Sequence, residues 1–153
     1  MTAILVVCMG NICRSPLAEA ALRAEASARG LDVTIDSAGT GAWHIGDPPD
    51  SRAQAEPLRH GVDISDQRAR QVSPADFDRF DLILAADRDN LAHLRRMQPK
   101  DGRARLSLLL DHVPGREGQG IPDPYYGGPD GFARAWQDAR QAASAVLDHL
   151  PPG

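Results

Sequence analysis

Short apolar runs and amphipathic stretches alternate along the chain. Residues 3–7 are uninterrupted apolar positions, the pattern of a strand buried on both faces. Leu17, Ala21, Leu22 and Ala24 then recur at helical spacing. Pro16 fits the first turn of that helix, where its missing N–H costs nothing, and Gly30 is a natural stop. Ser15, just before the proline, is a candidate N-cap. Val33 to Asp36 reads as a second strand running into the turn-rich residues 37–41. Strand, helix and strand in about thirty residues make a βαβ unit.

Residues 43–49 look irregular, and Asp50 is placed to cap a helix over residues 51–60 that Pro57 kinks or shortens and Gly61 closes. A polar segment with Arg68 and Arg70 leads to a short helix from Ser73-Pro74 through Phe77, then to a third strand over residues 80–85. Residues 87–97 read as a helix with Leu91 and Leu94 inward and Arg88, Arg95 and Arg96 outward; residues 105–109 give a fourth strand. The arginines at 88, 95, 96, 103 and 105 read as a solvated face. Residues 111–131 are rich in Pro, Gly and Asp without periodicity, and a loop of that length in a compact domain usually carries function. Phe132, Ala135, Trp136, Ala139, Ala142, Ala143, Val146, Leu147 and Leu150 mark a last helix that Pro151 stops. This alternation predicts a three-layer α/β/α fold with a four-stranded parallel sheet, Rossmann-like or flavodoxin-like. In such sheets ligands bind beyond the C-terminal strand ends, where the loops after the strands gather.

At 153 residues the chain is expected to form a single domain, residues 1–153. The net charge of −4 offers no basic field for nucleic acid. The opening apolar run is too short for a signal peptide or a membrane span, so a cytoplasmic protein without membrane insertion is expected. The only cysteines are Cys8 and Cys13, and the five histidines are scattered; neither a disulfide framework nor a metal site follows. No cofactor is expected.

Both cysteines lie in Val7-Cys8-Met9-Gly10-Asn11-Ile12-Cys13-Arg14-Ser15-Pro16, between the first strand and the first helix. Folded as a loop, this segment would turn backbone N–H groups inward and, with the helix dipole, form a seat for an oxyanion. The same donors stabilise a thiolate. Attack of that thiolate on a bound phosphate ester is the chemistry such a seat suggests.

The segment resembles the phosphate-binding loop of the low-molecular-weight protein tyrosine phosphatases. The resemblance continues through Asp36-Ser37-Ala38-Gly39-Thr40, Trp43, Asp50-Ser51-Arg52-Ala53, Ala69-Arg70-Gln71, Asp76-Phe77, Asp87 with Asn90, and Asp123-Pro124-Tyr125-Tyr126. It implies hydrolysis of phosphotyrosine in proteins or peptides, and of aryl phosphates, through a phosphocysteine on Cys8. Phosphate and similar oxyanions would bind the same loop, formed by Met9, Gly10, Asn11, Ile12, Cys13, Arg14 and Ser15. Arg14 would fork two phosphate oxygens. Asp123 would protonate the leaving phenol and then activate water.

Ser15 can donate to the Cys8 sulfur. Asn11 suits a left-handed backbone position and would hold the loop with Ser37 and Gln67 as partners. Gln67 stands where the family often carries a histidine; it can donate and accept but cannot titrate. Asp87 is expected to brace the site or cap a helix. Trp43, Tyr125 and Tyr126 would wall a slot for an aromatic ring, with Met9 and Ile12 at its rim and floor. Cys8 and Cys13 are close enough in sequence to form a reversible disulfide that shields Cys8 from overoxidation.

Two other functions compete. An arsenate reductase of related fold needs further cysteines downstream, and none follows Cys13. An inactive phosphoprotein-binding module would lack the nucleophile, the arginine or the acid, and none is missing.

Overall fold

The computed structural model describes residues 2–125 and 127–150. Its elements in chain order are β1 Thr2–Cys8, α1 Arg14–Arg29, β2 Val33–Gly39, α2 Ser51–Leu58, α3 Asp76–Arg79, β3 Leu82–Ala85, α4 Arg88–Met97, β4 Arg105–Leu108 and α5 Pro129–Asp148, with a 3-10 turn at Leu109–His112. The four strands form one parallel sheet in the order β2-β1-β3-β4. The chain winds outward from β1 to β2 and then crosses to β3 on the other side, so strand order reverses at β1. That is the flavodoxin-like switch point, outside whose carboxyl edge ligands bind.

The uninterrupted apolar run in β1 is explained by its two neighbours. Ile4 and Val6 face one core with Leu17, Leu22, Ile35, Trp136 and Val146 from α1, β2 and α5. Leu5 and Val7 face the other, with Phe77, Ile83, Leu91 and Leu94 from α3, β3 and α4. Each such side chain, fully buried, is worth about 1.5–3 kcal/mol. The core that grips β1 from both faces thereby fixes where its last residue, Cys8, emerges.

Element boundaries differ from the expected ones for local reasons. Asp50 does cap α2 by accepting from the Arg52 N–H at 2.9 Å, and Pro57 sits one residue before its end. Ser15 is not an N-cap: Cys13 holds that position without a side-chain bond, and Ser15 lies inside the first turn of α1. Asp87 precedes α4 rather than belonging to it and caps it, accepting from the Asn90 N–H at 2.8 Å. The expected long loop is trimmed by the 3-10 turn at one end and by the early start of α5, with a proline in its first turn, at the other.

Candidate active site

The loop after β1 is held at the carboxyl edge of the sheet by its neighbours' backbones. Beyond β2, the N–H of Thr40 donates to the Cys8 carbonyl and that of Gly41 to the Met9 carbonyl, both at 2.9 Å. Gly39 lets these segments touch: a Cβ there would stand 2.8 Å from the Met9 oxygen and 3.2 Å from the Asn11 nitrogen. From the other side Asp50 donates its N–H to the Ile12 carbonyl at 2.8 Å. With its carbonyls so engaged and Asn11 at φ 57°, the loop wraps around its own centre. Among the described residues, the N–H groups of residues 9–13 donate to no backbone acceptor. A concave row of unspent N–H groups before a helix start is an anion seat.

A chain of side-chain hydrogen bonds reaches the Cys8 sulfur, and its polarity can be read from its ends. At the far end the Ser37 hydroxyl lies 2.7 Å from the Glu19 carboxylate, which can only accept, so Ser37 donates to it. The Ser37 oxygen then accepts from Asn11 Nδ2 at 3.0 Å. The orientation of the Asn11 amide is fixed by its Oδ1, which accepts from the Arg70 backbone N–H at 3.0 Å. Its second N–H therefore points to Ser15 Oγ at 2.8 Å. Ser15 must accept there, which directs its own proton to Cys8 Sγ at 3.1 Å rather than to the Ala38 carbonyl at 3.5 Å. Sulfur is thus met by a donor, the arrangement that suits a thiolate. Glu19 is buried and further anchored by Arg23 at 2.8 Å.

Arg14 faces the same seat from the start of α1. One of its terminal nitrogens is committed twice, to Asp87 at 2.6 Å and to the Ile121 carbonyl at 3.0 Å. The other lies 3.7 Å from Asp123. The uncommitted edge of the guanidinium is the one that can fork two oxygens of an anion. Burial alone would lower the Arg14 pKa, but the charges of Cys8, Asp87 and Asp123 outweigh it and hold the group above its ordinary value. Burial pushes the Cys13 thiol the other way from ionisation, up to about 12, with Asp50, Cys8 and Asp123 adding to it. Cys13 is therefore a neutral thiol beside the seat.

Cys8, Met9, Ile12, Cys13, Arg14, Trp43, Asp123 and Tyr125 all line one cavity of about 420 Å³. The expected constellation is thus brought together around one space, with Met9, Trp43 and Tyr125 exposed at its rim. Tyr126 lies outside the described residues. Gln67 corrects an expectation: the hydrogen bonds of the Asn11 side chain go to Ser15, Ser37 and the Arg70 N–H, while Gln67 donates to the Pro16 carbonyl at 3.4 Å, and its own buried oxygen has no partner among the described residues. The place expected for it beside Asn11 is taken by the Arg70 backbone.

Three participants were not expected. Glu19 ends the hydrogen-bond chain; its spacing of four from both Ser15 and Arg23 on one helix was a signal available in the sequence. His44 lines the cavity and lies 3.3 Å from Asp47. Arg52, paired with Asp50 at 3.0 Å, stands over the rings of Tyr125 and Phe132 at 5.5 and 4.7 Å. It ties the Tyr125 wall to the residue that holds Ile12. Among the described residues, no group of acidic, histidine and cysteine side chains is arranged to hold a metal, and no helix is long and apolar enough to cross a membrane.

Comparison with known proteins agrees with this geometry. The family model described as low molecular weight phosphotyrosine protein phosphatase matches residues 3–151. The Schizosaccharomyces pombe protein of that name is 44% identical over 132 residues, covering 84% of each chain. The crystal structure of YfkJ from Bacillus subtilis superimposes with a TM-score of 0.89 at 40% identity, over 97% of this chain and 93% of that one. Vibrio vulnificus Wzb, solved in complex with benzylphosphonate, does so with a TM-score of 0.85 at 31% identity, over 97% and 99%. The chain therefore belongs to the low molecular weight phosphotyrosine protein phosphatase family and is a protein tyrosine phosphatase.

Proposed function

We propose that the protein hydrolyses phosphotyrosine in polypeptides, and simple aryl phosphates, in two steps through a phosphocysteine on Cys8. The observation that carries this reading is the directed hydrogen-bond chain ending on the Cys8 sulfur, in a cavity that Arg14 and Asp123 share. In the first step the Cys8 thiolate attacks phosphorus. Arg14 and the loop N–H groups hold the remaining oxygens, whose charge is best stabilised by donors already in place. Asp123, as the acid, delivers its proton to the departing phenol oxygen. In the second step the Asp123 carboxylate takes a proton from water, the water oxygen bonds to phosphorus, and the sulfur leaves as a thiolate onto the Ser15 hydroxyl. Trp43 and Tyr125 flank the ring of the ester, and the benzylphosphonate bound by the Vibrio relative has the same aromatic and phosphorus-bearing parts.

Cys13 belongs to the proposal as the thiol that rescues an oxidised Cys8. Peroxide would convert Cys8 to a sulfenic acid; Cys13 would form the S–S bond with loss of water, and an external thiol would restore both. The cellular compartment proposed is the cytoplasm, where such thiols are kept reduced.

The test is a leaving-group series. Asp123→Asn should lower kcat/KM, which reports only the first step, by roughly 10²–10⁴-fold for phosphotyrosine, and much less for an ester whose phenol is already a good leaving group. Equal losses across the series would rule out Asp123 as the acid. Cys8→Ser should abolish turnover of every ester, with EDTA making no difference to the unmodified protein.

A further inference from the structure

A second groove, of about 390 Å³, lies on the far side of Met9 and Trp43. One wall is a stripe of α4 formed by Asp89, Asn90, His93 and Arg96, which the helical period places on one face. The facing wall is Thr40 and Gly41. Met9 and Trp43 line this groove and the catalytic cavity alike, so the two spaces share one partition. Trp43 is 73% exposed, and its ring is laid back over Gly41, where a Cβ would come within 1.8 Å of the indole. A tryptophan seated on a glycine at the surface, between two grooves, offers apolar faces to whatever fills them.

Two side chains lining the groove have polar atoms without partners among the described residues. Asn90 is only 4% exposed, yet its side-chain carbonyl oxygen has no hydrogen-bond partner among the described residues. Arg96 is exposed and takes part in no ion pair among the described residues. Asp89, in the first turn of α4, is the one acid lining the groove among the described residues. Seven residues separate it from Arg96, about 10 Å along the helix. The groove therefore runs from an acidic end to a cationic end.

We propose that this groove is a substrate subsite that receives the polypeptide flanking the phosphotyrosine and selects an acidic side chain there through Arg96, with His93 beside it. The proposal rests on reading the first cavity as the phosphotyrosine site. An extended chain advances about 3.3 Å per residue, so the distance along α4 corresponds to about three residues. A carboxylate next to the phosphotyrosine meets Asp89 and is disfavoured; one about three positions away reaches Arg96. Trp43, which lines both spaces, then contacts the ester ring from the cavity side and the peptide from the groove side.

The experiment uses phosphotyrosine peptides in an alanine background, with a single Glu walked over four positions on each side. The readout is kcat/KM for each peptide relative to 4-nitrophenyl phosphate, which cancels effects common to all esters. A Glu about three positions away on one side should raise this ratio about threefold to fivefold, the scale of an exposed ion pair. The gain should fade at high salt, vanish in Arg96→Ala and pass to a Lys at the same position in Arg96→Glu. No preference for any Glu position, or one that survives unchanged in Arg96→Glu, overturns the subsite. Failure of the unmodified protein to hydrolyse either the peptides or the aryl phosphate overturns the proposed function itself.

Discussion

Replacing Asn11 by aspartate tests the polarity of the hydrogen-bond chain with almost no change of shape. Asn11 now gives one N–H to Ser15 and one to Ser37 and accepts from the Arg70 N–H. In Asn11→Asp the Arg70 bond survives, but the donor nitrogen becomes an oxygen that can only accept. The Ser15 hydroxyl must then turn its proton to the new carboxylate and away from Cys8. Ser37 has one proton for two carboxylates, that of Glu19 and the introduced one, so a lone-pair clash remains there. The lost contact is a hydrogen bond to a charged sulfur, worth about 1.5–3 kcal/mol, and that is about tenfold to a hundredfold in rate.

The loss should fall on the second step, in which sulfur departs as a thiolate. Stopped-flow release of 4-nitrophenol should show a burst approaching one equivalent, followed by slow turnover. Because Ser15→Ala removes the same bond, the double variant should cost little more than either single one. Additive losses, or an Asn11→Asp enzyme that turns over normally, would refute the directed chain.

Other consequences follow from the same contacts. Asp87→Ala removes the α4 cap, about 1 kcal/mol, and leaves a buried guanidinium short of a partner, a further loss of about 1–3 kcal/mol. Urea unfolding should report the sum, and Asp87→Asn, which keeps the cap, should recover the first part; equal losses would deny the capping role. The Cys13 thiol ionises at about 12 when folded against an ordinary value of 9.0. Its contribution to stability is thus complete below the ordinary value and lost as pH rises from there toward the folded one. Unfolding midpoints taken from about pH 8 to about pH 10.5 should fall more steeply in the unmodified protein than in Cys13→Ala; parallel curves would contradict the burial argument. Peroxide inactivation should be reversed by added thiol in the unmodified protein and not in Cys13→Ala; full recovery in both would remove Cys13 from the redox reading. In Gly39→Ala the new methyl meets the Met9 carbonyl, so phosphate should inhibit more weakly with the fold intact, as circular dichroism would show. Unchanged inhibition would mean that the loop does not depend on that close approach.

How much of this was readable in the chain depends on the range of the interaction. β1 was legible because both faces are covered, so that Ile4, Leu5, Val6 and Val7 are all apolar. α5 was legible because its buried residues repeat over five turns. The seat was legible because Cys8, Asn11, Arg14 and Ser15 are neighbours in sequence between a strand and a helix start. What escaped came from far away or from the backbone. Asn11 is held by the N–H of Arg70, a group every non-proline residue carries, so no residue type could signal it. The expectation for Gln67 fails for the same reason: the partner of the Asn11 carbonyl is a main-chain N–H rather than a side chain. Of the two roles open to Ser15, donor to the Cys8 sulfur and N-cap, only the first is present: α1 begins at Arg14, two residues before the start that a Ser15 cap implies, and the hydroxyl is free to meet Cys8. Arg96 is exposed on α4, as expected of the solvated arginines, and only the fold shows that its helix lies beside Trp43.

The central claim is that phosphate passes through the sulfur of Cys8. Asp123→Asn, which slows activation of the water more than formation of the intermediate when the leaving group is good, should let that species accumulate. Rapid quenching during turnover of 4-nitrophenyl phosphate, followed by mass spectrometry of the Cys8 peptide, should find one phosphoryl group on Cys8 and none on Cys13 or Ser15. Phenol release without any phosphorylated Cys8, at times when the burst is complete, would contradict the mechanism.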